Sequence, residues 1–241
     1  KAYAVIHELQ PEAQVGTAIH YRGFKAATWL PVDHAAASVL GTLFNDLFPR
    51  TLKDGVFNTI YKRERIPEAV GTQDFLGLNY YSSDQVRFDL FAPGEMFAHR
   101  SFSEDAALSE TGFIANVPMG MVECVKWGHD FGVPMIITEN GVEDSQDTLR
   151  PRYTLEHLHA LWQIMNNNYP VTGYFHWSLV DNFEWERGWT QRFGLWGLDT
   201  ETQARIRRPS ADMYAEICRT NGISAEIVEK YAPAAMKTLF P

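Results

Sequence analysis

Four short apolar segments that alternate with helical patterns restrict the fold of this chain more than any other feature. The predicted strands are residues 15–20, 74–80, 133–138 and 171–177. The helical patterns cover residues 1–9, 33–49, 119–131, 154–167 and 210–220, with Asp33 expected as the N-cap of the second helix. Because strands that alternate with helices form right-handed βαβ units, the sequence predicts an α/β fold with a parallel sheet.

The third predicted strand ends in a run of Glu, Asn and Gly at residues 139–141. The run places Glu139 at the C-terminal end of a buried strand, the end at which barrels of parallel strands carry their reactive groups. The alternative is that these residues only form a turn, with a positive φ at Gly141. Taken alone, the short motif does not separate the two interpretations.

The fourth predicted strand ends in a cluster of aromatic and acidic residues. Residues 177–189 contain three tryptophans together with Asp, Asn and Glu side chains. Carboxylates accept hydrogen bonds from sugar hydroxyls, and flat rings stack on the C–H faces of sugars, so the cluster is typical of a sugar site. The alternative is an aromatic hairpin on the surface.

Three motifs in this order resemble those of the family 1 glycoside hydrolases, the β-glucosidase and β-galactosidase type with a (β/α)8 barrel. They are Phe-Leu-Gly-Leu-Asn-Tyr-Tyr at 75–81, Ile-Thr-Glu-Asn-Gly at 137–141, and Trp-Ser-Leu-Val-Asp-Asn-Phe-Glu-Trp at 177–185 with Arg-Phe-Gly at 192–194. The resemblance covers nearly the whole chain. The family's Asn-Glu-Pro acid/base motif does not occur in this sequence.

Four strands correspond to half of the eight that such a barrel contains. The resemblance therefore implies the C-terminal half of a (β/α)8 TIM barrel, strands 5 to 8 with their helices. We expect residues 1–241 to form a single (β/α)4 half-barrel that is part of one TIM-barrel catalytic domain. Its first helix begins without a cap or an initiator methionine, which indicates a broken or trimmed N-terminus.

The two outer strands of a half-barrel carry unpaired backbone groups, which favours a partner. We expect an N-terminal half-barrel, supplied by a separate chain or by a cleaved segment of the same polypeptide. A second copy of this chain is a further possibility.

The resemblance implies retaining hydrolysis of β-D-glycosidic bonds, in which two carboxyl groups lie about 5 to 5.5 Å apart. Glu139 matches the family's nucleophile. Tyr81 matches the tyrosine that donates a hydrogen bond to that nucleophile, and Asn79 matches an asparagine near the sugar. The expected substrate is a β-glycoside, either a small molecule or an oligosaccharide.

Four further residues match positions that bind the sugar. Glu184 matches the glutamate that binds O4 and O6, and Trp177 matches the floor on which the ring stacks. Trp185 is expected to donate to O3, and Phe193 is expected to close the wall near O6. For Trp177, packing in the core is the alternative.

Two functions remain after these matches. In the first, this chain supplies the nucleophile and part of the sugar subsite of a β-glucosidase-like enzyme, and it is inactive without the half that carries the acid/base. In the second, it is a non-catalytic sugar-binding or assembly half-barrel that cannot protonate a leaving group.

Composition excludes other classes of function. The net charge of −9 argues against a nucleic-acid partner, and no apolar run is long enough to predict a membrane segment. Cys124 and Cys218 are expected to be buried in helices; without a disulfide framework, a reducing compartment is allowed and a cytoplasmic location is expected. The histidine spacing predicts no metal site, and we expect no cofactor.

Some polar residues near the motifs are expected to have ordinary structural roles. Glu143 and Asp144 are expected to face solvent, and His176 is expected to pack against a helix. The arginines at 205, 207 and 208 are expected in a solvated loop. Residues 87–109 are expected to form a long loop after the second predicted strand, for which aglycone recognition and mobility are both open interpretations.

Overall fold

The fold is built around a sheet of parallel strands. The structure, a computed structural model, describes residues 1–59 and 61–241. Its strands are β1 (Gly16–Ala26), β2 (Val56–Asn58), β3 (Arg63–Arg65), β4 (Phe75–Phe88), β5 (Ala98–Ser101), β6 (Met135–Asn140), β7 (Val171–His176), β8 (Trp196–Leu198) and β9 (Arg205–Arg207). The four predicted strands, β1, β4, β6 and β7, pair in chain order and run parallel.

The predicted helices are all present, and two short ones follow them. They are α1 (Ala2–Leu9), α2 (Pro31–Gly41), α3 (Leu47–Asp54), α4 (Met119–His129), α5 (Arg150–Met165), α6 (Pro209–Thr220), α7 (Ala225–Tyr231) and α8 (Met236–Leu239). A π-helical turn, Thr42–Asp46, joins α2 to α3. In the described ranges, no helix combines the length and the apolar character that crossing a bilayer requires.

The second predicted helix begins earlier than expected, and Asp33 is not its N-cap. Leu30 is the N-cap and Pro31 occupies the first turn. Proline is tolerated there because N–H groups in the first turn have no acceptor within the helix. The Asp33 carboxylate instead accepts hydrogen bonds from the Thr28 hydroxyl at 2.6 Å and from the Phe88 amide at 2.8 Å. It therefore ties the start of α2 to the end of β4.

The main core lies between the sheet and helices α4 and α5. Leu76, Leu78 and Tyr80 alternate along β4 and are fully buried, as side chains on one face of a strand should be. They pack with other buried residues of the sheet and the two helices, chiefly Met121, Cys124, Val125, Met135, Ile137, Leu161, Ile164 and Val171. Each large apolar side chain buried in this way contributes about 1.5–3 kcal/mol.

The opposite face of the sheet has no such cover within the described residues. On β7, Phe175 is 61% exposed, and on β1, Ala18 and His20 are exposed. In the part of the chain that the structure describes, β1 and β7 each pair with a single strand. The arrangement is that of half a barrel, with the face that would line the barrel interior left open.

The expected loop at residues 87–109 is partly a hairpin. Strand β4 continues to Phe88, and β5 returns beside it in antiparallel pairing, with Gln85 opposite Ser101. The irregular part is shorter than the sequence suggested, because β4 continues beyond its pairing with β6 and stays paired with β1 as far as Val86. Two small hairpins, β2 with β3 and β8 with β9, lie outside the main sheet.

Candidate active site

Glu139 lies at the C-terminal end of β6, where the sequence predicts it. In the pairing of β6 with β4, Leu78 lies opposite Ile137, but the next residue, Asn79, lies opposite Glu139. Thr138 is therefore an extra residue, and such a bulge re-aims the side chains beside it. The Thr138 hydroxyl donates to Asn79 Oδ1 at 2.5 Å, and the Glu139 carboxylate reaches the same face of β4.

The Tyr81 hydroxyl donates a hydrogen bond to Glu139 Oε2, with 2.5 Å between the two oxygens. Burial and the negative charge of Glu139 raise the pKa of Tyr81 far above its usual value, so the hydroxyl keeps its proton. The Tyr81 ring lies edge-on to the rings of Phe193 and His20, with centroids 6.1 and 5.6 Å away. Its packing thus directs a permanent donor at the carboxylate.

Behind Glu139, Asn140 is the centre of a buried hydrogen-bond network that sequence reasoning missed. Its Nδ2 donates to the Tyr80 carbonyl at 2.7 Å. The same atom lies 3.0 Å from the Tyr153 hydroxyl and 2.9 Å from His157 Nδ1. Its Oδ1 accepts from the Tyr174 hydroxyl at 2.8 Å. The network joins β4, β6 and β7 to α5 directly beneath the candidate nucleophile.

Two members of this network lie on one face of α5. Tyr153 and His157 are four residues apart, and their rings stack with centroids 3.8 Å apart. The Tyr153 hydroxyl donates to the Tyr81 carbonyl at 2.7 Å, which fixes the backbone of the residue that binds Glu139. Burial lowers the pKa of His157 to about 3, so the ring is neutral and can accept a hydrogen bond. The four-residue spacing was the signal available in the sequence.

Trp177 and Phe193 form an apolar wall beside Tyr81. Phe193 is buried and Trp177 is half-buried, and both pack in one cluster with Tyr81 and Val142. A Cβ at Gly141 would lie 1.9 Å from the Trp177 carbonyl oxygen. Gly141 does not have a positive φ, so close approach of the two loops, and not a turn, requires glycine there.

Glu184 and Trp185 lie on the loop after β7, outside this apolar cluster. Burial raises the pKa of the half-buried Glu184, and the charges of Glu139 and Glu186 raise it further. The contribution of Glu139 indicates that the two carboxylates lie near each other. The Trp185 side chain is 80% exposed. The structure thus gathers Glu139 and Glu184 at one edge of the sheet and leaves the Trp185 indole on the surface.

A buried ion pair holds the two ends of this loop together. Asp181 Oδ1 and Oδ2 accept from the Arg208 guanidinium at 2.9 and 3.0 Å. Asp181 also accepts from the Gly194 amide at 2.8 Å. Arg208 was expected in a solvated loop, and that prediction is wrong, because its partner Asp181 is distant in sequence and buried. Asp181 therefore joins the start of the loop to its end.

The expectation that Glu143 and Asp144 face solvent is wrong. Their exposed fractions are 1% and 3%. Asp144 accepts from the amides of Leu149 and Arg150 at 2.7 and 2.9 Å, so it satisfies free N–H groups at the start of α5. Glu143 accepts from the Ser109 hydroxyl. Both carboxylates are buried because the loop after β6 folds back over α5 and meets a distant segment.

Three further predictions about single residues have mixed outcomes. His176 packs against Tyr214 of α6, with ring centroids 5.7 Å apart, as expected. Cys124 is buried as expected, but Cys218 is exposed near the end of α6. Among residues 1–59 and 61–241, no three His, Cys, Asp or Glu side chains are grouped closely enough to hold a metal ion.

Comparisons with known proteins show which family this chain resembles. A family model described as Glycosyl hydrolase family 1 matches residues 2–223. A β-galactosidase of Pyrococcus woesei is 33% identical over 216 residues, which cover 82% of this chain and 42% of that protein. Beta-glucosidase A of Thermotoga maritima is 30% identical over 247 residues, which cover 92% of this chain and 54% of that protein.

The solved structures include a β-glycosidase from Pyrococcus horikoshii with a TM-score of 0.86 and 31% sequence identity. The match covers 96% of this chain and 54% of that one. The chain therefore spans about half the length of the relatives that it matches. These neighbours are TIM barrels, which confirms the predicted fold class of a partial (β/α)8 barrel. On the extent of the family match and the agreement of the fold, the chain belongs to glycosyl hydrolase family 1.

Proposed function

We propose that this chain supplies the nucleophile and part of the sugar subsite of a retaining β-glycosidase. The observation that carries the proposal is the hydrogen bond from Tyr81 to Glu139, which lies where the parallel pairing of β4 with β6 ends. A carboxylate that is held by a protonated donor beside an apolar wall is suited to nucleophilic attack. The relatives named β-galactosidase and β-glucosidase support a β-glycoside as substrate.

The proposed first step forms a bond between Glu139 and the anomeric carbon of the sugar. Tyr81 donates to Oε2, and we assign the attack to Oε1, which does not accept that hydrogen bond. The glycosidic bond breaks, and its electron pair stays on the leaving oxygen, which takes a proton from an acid. In the second step that acid, now a base, removes a proton from water as the water attacks the anomeric carbon, and Glu139 leaves as a carboxylate.

The proposed sugar subsite uses the residues around Glu139. Glu184 accepts hydrogen bonds from O4 and O6, and Asn79 lies near the sugar and the nucleophile. Trp177 forms the stacking floor and Phe193 closes the wall near O6. The indole N–H of Trp185, which is 80% exposed, is proposed to donate to O3.

The acid/base is proposed to come from an N-terminal half-barrel. The sequence has no Asn-Glu-Pro motif, and the described part of the sheet has two open edges and an uncovered apolar side chain, Phe175. Four further strands would pair those edges and cover that face. The isolated chain is accordingly proposed to be inactive, because neither step above can complete its proton transfer without the second carboxyl group.

The test measures hydrolysis of p-nitrophenyl β-D-glucoside by the chain alone and by the chain assembled with a polypeptide that carries the other four strands. Intact mass identifies the species in each sample. We expect turnover in the assembly and none in the isolated chain. In the assembly, Glu139→Gln abolishes turnover, whereas the matched control Glu186→Gln, on the exposed part of the loop, retains it.

A 2-deoxy-2-fluoro glycoside then identifies the residue that attacks. We expect the assembled enzyme to carry the label on Glu139. Retained turnover in Glu139→Gln, or a label on another carboxylate, would show that the nucleophile is misassigned. Sugar binding by an assembly without any turnover would instead support the non-catalytic half-barrel.

A further inference from the structure

Glu143 is a buried carboxylate for which the proposed reaction has no use. Its Oε1 accepts from two hydroxyls, those of Ser109 and Thr111, the second at 2.9 Å. Its Oε2 is buried and has no protein partner in the described residues. Burying a carboxyl group is costly unless it is paired or hydrogen-bonded, and burial accordingly raises the pKa of Glu143. The cost indicates that the contacts made by this group matter to the local structure.

The donors and acceptors around Glu143 form one continuous chain. The Gln191 amide donates from Nε2 to Thr111 Oγ1 at 3.1 Å, and Thr111 in turn donates to Glu143. On the other side the Ile114 amide donates to Ser109 Oγ at 2.9 Å, and Ser109 donates to Glu143. The chain therefore joins three separate loops, at residues 109–114, 141–149 and 177–195.

The third of these loops leads directly to the sugar subsite. Gln191 is 3% exposed and lies two residues before Phe193, the ring that packs on Tyr81. A few residues before Gln191, the Arg187 guanidinium lies 4.5 Å from the centre of the Phe113 ring. Glu184 belongs to the same loop, and its backbone amide donates to the Gly188 carbonyl at 2.7 Å. Movement at Gln191 would therefore displace both Phe193 and Glu184.

We propose that Glu143 is a positioning residue, which through Thr111 and Gln191 holds the loop that carries Glu184 and Phe193 in place to recognise the C6 hydroxymethyl group of a β-glycoside. This inference rests on the proposed function, because it assumes that Glu184 and Phe193 lie near O6. Glu143 itself does not touch the sugar.

The first test compares two variants of the assembled enzyme on a β-D-glucoside and a β-D-xyloside, which lacks the C6 hydroxymethyl group. Glu143→Ala removes both acceptor oxygens, and Glu143→Gln keeps one carbonyl oxygen for Ser109 and Thr111. We expect Glu143→Ala to lower the glucoside-to-xyloside ratio of kcat/KM by about fivefold or more, chiefly through KM for the glucoside. Glu143→Gln should restore most of the ratio. An unchanged ratio in Glu143→Ala, or an equal loss in both variants, overturns the proposal.

The second test does not depend on turnover. Hydrogen–deuterium exchange is measured over residues 183–191 in the same variants. The control is Glu110→Ala, because Glu110 joins the first loop to Ser145 at the surface and does not contact Gln191. Faster exchange over 183–191 is expected in Glu143→Ala alone, and unchanged exchange there refutes the positioning role. The result stays interpretable if Glu139 proves not to be the nucleophile, so the two proposals fail separately.

Discussion

Replacement of Tyr81 by phenylalanine is the most direct test of how the site handles charge. The change removes the hydroxyl that donates to Glu139 Oε2 at 2.5 Å and keeps the ring that packs on Phe193. In the second step of the proposed reaction, Glu139 leaves the sugar and regains its negative charge. The Tyr81 hydroxyl stabilises that charge as it develops, so the second step should depend on it strongly.

The structure sets the size of the expected effect. A hydrogen bond to a charged group contributes about 1.5–3 kcal/mol. Because each 1.36 kcal/mol corresponds to a tenfold change in rate, loss of the bond should slow hydrolysis of the glycosyl-enzyme by about 10- to 150-fold. The raised pKa of Tyr81 keeps the wild-type donor protonated through the neutral and mildly alkaline range, so this difference should not depend on pH there.

The assay uses a dinitrophenyl β-glucoside, whose leaving group needs little protonation, with the assembled enzyme. We expect Tyr81→Phe to show a pre-steady-state burst, a lower kcat, and a lower KM, because the glycosyl-enzyme accumulates. Tyr214→Phe is the control: its hydroxyl reaches the Tyr174 carbonyl at 3.4 Å on the helix side of the sheet. An unchanged kcat without a burst in Tyr81→Phe would refute the assigned role.

Two further predictions concern the framework of the site. Asp181→Ala leaves the Arg208 guanidinium buried without its carboxylate and should lower the free energy of unfolding in urea by about 3–5 kcal/mol. The control Asp212→Ala breaks an exposed pair with Arg207 and should lower that free energy by no more than about 1 kcal/mol. Equal losses of stability in the two variants would contradict the reasoning. The pKa of His157 falls from 6.5 unfolded to about 3 folded, so the unfolded state binds more protons between these values and stability is lost as the pH falls below about 6.5. His157→Gln should therefore reduce the loss of stability between pH 6.5 and 4 by about 3 kcal/mol at most. The exposed control His99→Gln should leave that loss unchanged. If His157→Gln loses as much stability over this pH range as the wild type, other groups cause the loss.

The helices and strands could be predicted because their signals are local. The apolar run before Glu139 and the helical spacing of residues 154–167 each lie within one element, and periodicity is read from neighbouring residues. The start of α2 was predicted wrongly because Asp33 has the side chain of an N-cap but is used to accept from the Phe88 amide, far along the chain. No local pattern shows that the Phe88 amide takes the carboxylate that would otherwise cap the helix.

The residues of the candidate site likewise fall into those that local motifs predict and those that only the fold brings together. Motifs placed Glu139, Tyr81 and Glu184 at the ends of neighbouring strands, and parallel pairing brings those ends to one edge of the sheet. The motifs did not show that Asn140 anchors a buried network, or that Glu143 is enclosed and not solvated. Those facts depend on α5 and on residues 109–111, which meet the motif only after folding.

The sequence by itself determined the alternation of strands and helices, the order of the family motifs, and the chemical type of the groups at the strand ends. These follow from side-chain chemistry and from periodicities of a few residues. Only the tertiary structure decided where those groups point. A one-residue bulge opposite Asn79 brings Glu139 to Tyr81, and a chain of hydrogen bonds from Glu143 to Gln191 ties the loop that carries Glu184 to two others. Both results depend on contacts between residues that are distant in the chain, and the free energy of such contacts is set by the folded packing around them.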